Sequence, residues 1–155
     1  MIIEQVVNLE LAEETDAPLL AEISRRAFHS DITCGADRQG GPEGYASADW
    51  QVAMMKSARA YFKITQFDRI VGGAIIFCNG KGNYYLGRIF IDPDVQHQGL
   101  GMQSMQLIFE RFPNARRWLL DTPRWNIRTK CFYLKMGFHI TRQTAEDLFF
   151  EKEVD

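Results

Sequence analysis

Arg88-Ile89-Phe90-Ile91-Asp92-Pro93-Asp94-Val95-Gln96-His97-Gln98-Gly99-Leu100-Gly101-Met102, continuing through Gln103-Ser104-Met105-Gln106-Leu107-Ile108-Phe109-Glu110-Arg111-Phe112, is the stretch that decides how this chain folds. It reads as a strand, a sharp polar turn and a helix. Ile89, Phe90 and Ile91 form a β-branched and aromatic run that suits a pleated, buried surface. Pro93 stops the ladder because it has no N–H to donate. Met105, Ile108, Phe109 and Phe112 then recur at helical spacing. At the junction, Gly99 and Gly101 remove two Cβ atoms where the first helical turn has unpaired N–H groups, which is a seat for an anion.

Glycines in a strand-to-helix turn suit a tight turn with no ligand equally well, so the spacing around them decides. A dinucleotide fingerprint would need a third glycine at Ser104. A nucleoside-triphosphatase loop would need Gly-Lys and then Ser or Thr, which follows no suitable glycine in the chain. What the chain has is Ile91, one residue, Pro93, two residues, then Gln96-His97-Gln98-Gly99-Leu100-Gly101. This resembles the acyl-CoA pyrophosphate loop of the GNAT superfamily of N-acetyltransferases, whose pattern is Arg or Gln, two residues, Gly, one residue, then Gly or Ala. Downstream, Asn126-Ile127-Arg128-Thr129-Lys130-Cys131-Phe132-Tyr133-Leu134-Lys135-Met136-Gly137-Phe138 resembles a second motif of that superfamily, an Asn and then a helix ending in Phe-Tyr-x-Lys-x-Gly-Phe. A Phe-Tyr pair near a helix end is by itself core packing. Both motifs in order, each on the right element, carry the resemblance from Ile70 to Phe138.

Composition sets the outer bounds. A chain of 155 residues, 46% hydrophobic and 25% charged, suits one soluble domain spanning residues 1–155 with one sizeable core. A formal net charge of −2 gives no electrostatic footprint for nucleic acid or an anionic membrane. Cys34, Cys78 and Cys131 have neither disulfide-framework nor zinc-ligand spacing, which fits the cytoplasm. Met1-Ile2-Ile3-Glu4-Gln5 lacks a basic region followed by an apolar run, and no stretch reaches the ~20 apolar residues of a membrane span, so a soluble, unprocessed protein is expected.

Taken in order, Ile2 to Leu11 alternates as an opening strand, and Thr15 or Asp16 caps a helix with Pro18 in its first turn that ends near His29. Ser30 to Ala46, centred on Gly40-Gly41-Pro42, reads as a lid on the acceptor side; its Asp31, Asp37 and Glu43 suit a cationic amine. Ser47 caps a second helix whose Trp50, Met54 and Ala58 share a core face. Ala60 to Phe67, Arg69 to Cys78 and Tyr84 to Ile91 alternate as an antiparallel meander, with Asn79-Gly80 as a hairpin signal. The central helix ends at Phe112-Pro113. Trp118 to Thr122 follows as a strand parallel to Arg88 to Ile91. Asn126 to Met136 is a last helix stopped by Gly137, and Phe138 to Arg142 pairs with Leu148 to Val154.

The resemblance implies a mixed α/β fold: a mostly antiparallel sheet with one parallel, splayed strand pair, and helices on both faces. It implies acetyl-CoA as cosubstrate, no metal, and direct acetyl transfer to a primary amine of a small molecule or protein, and it allows a homodimer. A catalytically silent acyl-CoA-binding sensor is the alternative, which release of free CoA thiol would exclude. Ile89, Phe90 and Ile91 would line the pantetheine arm, with the Ile91 N–H near the thioester carbonyl. Gln96, His97, Gln98, Gly99, Leu100, Gly101 and Met102 would hold the pyrophosphate, and Asn126 would contact the arm. Tyr133 matches the general acid, since an unperturbed tyrosine with a pKa of ~10 is protonated at neutral pH. For the base, many relatives carry a Glu on the strand before the loop, whereas Tyr84-Tyr85-Leu86-Gly87-Arg88 has no carboxylate. His29, Asp31, Glu43, Asp121 or a water chain stand as alternatives. His139 in its strand and Cys131 beside the second motif read as structural, the latter as a small buried residue.

Overall fold

Residues 60–91 build three consecutive antiparallel strands, which the other strands extend on either side and the helices cover on both faces. The computed structural model describes residues 6–96 and 98–154. Its elements are β1 (Asn8–Leu11), α1 (Ala17–His29), α2 (Ala48–Ser57), β2 (Ala60–Gln66), β3 (Arg69–Cys78), β4 (Asn83–Ile91), α3 (Leu100–Arg111), β5 (Arg117–Pro123), α4 (Ile127–Lys135), β6 (His139–Gln143) and β7 (Asp147–Glu153). They form a seven-stranded sheet in the order β1-β2-β3-β4-β5-β7-β6. Every neighbouring pair is antiparallel except β4 with β5. This is the mixed α/β architecture expected.

The middle strand serves two cores because successive side chains point to opposite faces. Ile76 joins Leu100, Met105, Ile108, Trp118 and Phe150 on one face. Ile75 joins Leu20, Ile23, Tyr61 and Phe90 under α1 on the other. Ser47 caps α2 as predicted, its Oγ accepting the Trp50 N–H at 3.1 Å. Trp50 and Met54 pack against the second core while staying partly exposed.

β4 carries an irregularity that the alternation hides. Ile75 lies opposite Arg88 and Ile76 opposite Leu86, so Gly87 is an extra residue on its strand. In an unbroken strand Leu86 and Phe90 would share a face. Here Leu86 belongs to one core and Phe90 to the other. A bulge of this kind reverses the phase of the strand. The position takes no side chain, because a Cβ on Gly87 would lie 2.5 Å from the Phe77 ring.

Several expectations are corrected. The parallel pairing falls on Asn83–Tyr85 with Arg117–Leu119 and not on Arg88 to Ile91. Beyond Tyr85, β4 turns away at its bulge, while β5 stays paired with β7 along its whole length. Neither Thr15 nor Asp16 caps α1 with its side chain; a short 3₁₀ turn at Glu14–Asp16 comes first, and Asp16 instead accepts the Glu13 N–H at 2.8 Å. Cys131 is exposed, because its position on α4 faces away from the packed side that holds Tyr133. The terminal hairpin forms, and it is β7, not β6, that joins β5. The opening strand is seen as Asn8–Leu11; residues 2–5 of that expectation lie outside the described residues.

Candidate active site

The divergence of β4 from β5 opens a cleft of about 1150 Å³, walled by the second half of β4, the start of α3, the end of β5, and α4. Backbone direction along β4 follows from one bond. Asp92 donates its N–H to the Val71 carbonyl on β3 at 2.7 Å, and alternate groups along a strand point to opposite neighbours, so the N–H groups of Ile89 and Ile91 point into the gap. The Phe90 ring is buried in the core under α1, and the residue also belongs to the cleft wall. Just beyond β4, Asp92 receives both Arg26 Nη1 at 2.7 Å and Nη2 at 2.9 Å, fixing the strand end to α1. Those hydrogen bonds hold the Asp92 carboxyl below the usual carboxylate range.

At the α3 end, Gly99 is the N-cap with φ of 76°, a left-handed turn that a glycine makes without penalty. Among the described residues, Gln103 is the first of the helix to find a backbone acceptor, Gly99 O at 3.1 Å. The N–H groups of Leu100, Gly101 and Met102 therefore precede the helical ladder. Among the described residues no atom requires glycine at position 101: a Cβ there would meet only the Phe132 ring, at 3.4 Å. Leu100 is core through its side chain, Met102 is exposed, and Gln98 is exposed on the rim. His97 lies outside the described residues. Gln96 turns inward, donating from Nε2 to the Ile91 carbonyl at 3.1 Å.

On the opposite wall Asn126 caps α4, its Oδ1 accepting the Thr129 N–H at 3.1 Å. Tyr133 is seated one turn from the end of that helix, its ring centroid 5.2 Å from Phe132, 5.7 Å from Phe138 and 5.8 Å from Phe150. Its hydroxyl makes no hydrogen bond among the described residues. Burial, helped by the charge of Asp121, raises its pKa and so keeps it protonated.

Of the candidate bases, His29 is engaged by Tyr45 Oη at 2.9 Å and lies near Arg25 Nη1 at 3.4 Å. Glu43 is exposed, and its backbone carbonyl accepts from Arg88. Asp31 and Asp121 both line the cleft. Burial raises the pKa of Asp31, against the opposing pull of Arg128, which donates to its Oδ1 at 3.1 Å. Asp121 is exposed as a residue, yet crowding around its carboxyl raises its pKa, with Asp147 adding to the shift. Sequence reasoning missed Arg128, which also donates to Gln96 Oε1 at 3.0 Å and so bridges the loop before α3 to the segment after α1. Only its place in the first turn after Asn126 hinted at such a role.

The model of the acetyltransferase (GNAT) domain family matches residues 57–140. No curated protein matches the sequence. The fold is similar to that of an acetyltransferase from Thermus thermophilus, with a TM-score of 0.80 and 18% identity over 99% of this chain and 100% of that one. It is also similar to PaiA N-acetyltransferase from Thermoplasma acidophilum in complex with coenzyme A, with a TM-score of 0.77 and 15% identity over 96% and 99% of the two chains. The ribosomal-protein-S18-alanine N-acetyltransferase from Escherichia coli gives a TM-score of 0.77 and 18% identity over 97% and 95%. A family match over more than half of the chain, on the fold those enzymes share, places this protein in the GNAT superfamily, as an acyltransferase that works by acyl-CoA-dependent acetyl transfer.

Proposed function

We propose that the protein transfers an acetyl group directly from acetyl-CoA to a primary amine, and that the observation carrying this reading is the open edge of β4, lying between the bare first turn of α3 and the unpartnered hydroxyl of Tyr133. The cosubstrate supplies an activated thioester. The N–H groups of Leu100, Gly101 and Met102 hold its pyrophosphate, aided by the positive end of the helix, with Gly101 allowing close approach. Ile89 and Ile91 offer their N–H groups to the pantetheine arm, and Gln96 orders the strand end by occupying the Ile91 carbonyl.

Asp121 receives the proton of the incoming ammonium, directly or through water, since its raised pKa brings it closer to that of the amine. The Ile91 N–H stabilises the carbonyl oxygen as attack places charge on it. As the new C–N bond forms and the C–S bond breaks, Tyr133 delivers its proton to the departing sulfur, and the excess proton left on the acylated nitrogen restores the phenol through solvent, so that the products are the neutral amide and the free thiol. Asn126 and Thr129, joined at the start of α4, orient the helix that carries Tyr133.

The test is release of free CoA thiol from acetyl-CoA in the presence of a panel of small amines, amino acids and peptides. Amine-dependent release with a matching N-acetylated product is expected. Tight acetyl-CoA binding with no thiol release from any amine would sink the reading in favour of a silent binding module.

A further inference from the structure

The bulge at Gly87 turns Arg88 toward α2, away from the core that holds Leu86. There its guanidinium carbon lies 4.0 Å above the centre of the Trp50 ring, and Nη2 donates to the Glu43 carbonyl at 2.5 Å. Nη1 is buried and has no hydrogen-bond partner among the described residues. Arg88 forms no ion pair among the described residues either, although it belongs to the wall of the cleft. Burial lowers its pKa, so the charge is held at a cost. Tyr61 supplies no anion in return: its hydroxyl donates to Gln51 Oε1 at 2.5 Å, and burial keeps it protonated.

A residue whose task was only to stack on Trp50 and hold a loop carbonyl would leave no donor stranded. Arginine's planar fork, by contrast, matches a carboxylate through two parallel N–H donors. Here one donor of the fork is engaged by a neutral carbonyl and the other by nothing, which is the arrangement of an anion site held by a weaker placeholder. Across the gap, Asp121 and Asp147 give the β5 side the opposite sign. Of the acidic residues in 30–46, Asp31 is paired with Arg128, Asp37 lines the cleft, and the exposed Glu43 carboxylate helps to hold the Arg88 charge without making an ion pair among the described residues, so no carboxylate closes the fork.

We propose that Arg88 determines acceptor specificity by binding a carboxylate carried on the same molecule as the amine, so that the acceptor is an amino acid or a related amino-carboxylate and not a simple cationic amine. This rests on the acetyltransferase reading above. The carboxylate replaces the Glu43 carbonyl on Nη2 and gives Nη1 its missing acceptor, while the amine lies toward Asp121.

The experiment compares matched probes: amino acids, their carboxamides and their decarboxylated amines, each measured for kcat/KM by thiol release. The free acids should exceed their amides by about 10²-fold in the wild-type enzyme. Arg88→Gln should remove that preference while the KM for acetyl-CoA stays unchanged; Arg88→Lys, which keeps the stack on Trp50 but not the fork, should retain part of it. Equal turnover of acids and amides by the wild type, or an equal loss for both in Arg88→Gln, overturns the proposal. Binding of the same probes to the CoA-loaded protein, followed by calorimetric titration, separates the two readings. Acids that bind but are not acetylated defeat the transferase reading alone, and acids that neither bind nor react defeat the carboxylate site.

Discussion

Replacing Tyr133 with Phe is the sharpest perturbation of the proposed chemistry, because the structure permits the hydroxyl to be removed and nothing else. The ring keeps its contacts with Phe132, Phe138 and Phe150. No partner is orphaned, since the hydroxyl makes no hydrogen bond among the described residues. The hydroxyl is not among the buried unpartnered atoms, so its removal should change stability little, with Tm within a few degrees of wild type. A general acid is worth at least about 10²-fold, or ~2.7 kcal/mol of transition-state stabilisation. Turnover should fall by that factor while the KM for acetyl-CoA holds, because the lost interaction exists only as the sulfur departs. The assay is thiol release across the neutral and alkaline range, with Tm measured alongside. Burial raises the Tyr133 pKa, so the acid is fully protonated through neutrality and the wild-type profile should show no alkaline fall from this group below about pH 10. Turnover within about twofold of wild type, at unchanged Tm, would reduce Tyr133 to a core aromatic.

Gly99→Val and Gly101→Glu should each weaken acetyl-CoA binding by about 10-fold or more, the first by straining a left-handed turn and the second by placing an anion beside the pyrophosphate; calorimetric titration reads both, and Gly101→Ala, whose Cβ meets only the Phe132 ring at ordinary contact, is the folded control. In Asp121→Asn, kcat/KM for the amine should lose the acid limb set by a carboxyl titrating above its ordinary range, and persistence of that limb would return the base to water or Asp31. Asp92→Asn probes the α1 tie by chemical denaturation across pH. The Asp92 pKa is depressed in the folded state, so its stabilisation is present above the unfolded carboxylate value of about 4 and is lost as pH falls through the lower folded value. The variant should therefore be about 1–2 kcal/mol less stable at neutral pH, toward the low end because Arg26 is a third exposed, and the deficit should vanish in strong acid.

The elements legible in the sequence are those whose signals are local. Ser47, Pro113, Gly137 and the runs through β2 and β3 each state their structure within a few residues, and the structure agrees. What the sequence does not show is pairing at a distance. Nothing in Leu86-Gly87-Arg88 marks a bulge, since a glycine inside a strand also satisfies plain alternation; only the Phe77 ring on β3 reveals why no side chain fits. The same blindness placed the parallel pairing on the wrong end of β4 and passed over Arg88, whose setting against Trp50 depends on the bulge. Arg128 escaped for a related reason, because its two partners lie 32 and 97 residues away in the chain. Gln96 and Tyr133 were legible as motif positions, yet the Gln96 bond to the Ile91 carbonyl is a tertiary fact.

The early end of the β4–β5 ladder has a further consequence for the resting molecule. A sheet ordinarily has two rims, here β1 and β6, but this one has a third running through its middle, where Ile89 and Ile91 present amides to no neighbouring strand. Exposed rims invite β-addition by foreign chains, but this one lies inside a cleft whose walls include Phe132 and Tyr133. An arm that binds there acts as an eighth strand and finishes the sheet. Its occupancy should therefore slow hydrogen exchange at these two amides, and at 100 times its dissociation constant it adds ~2.7 kcal/mol to the stability of the whole domain.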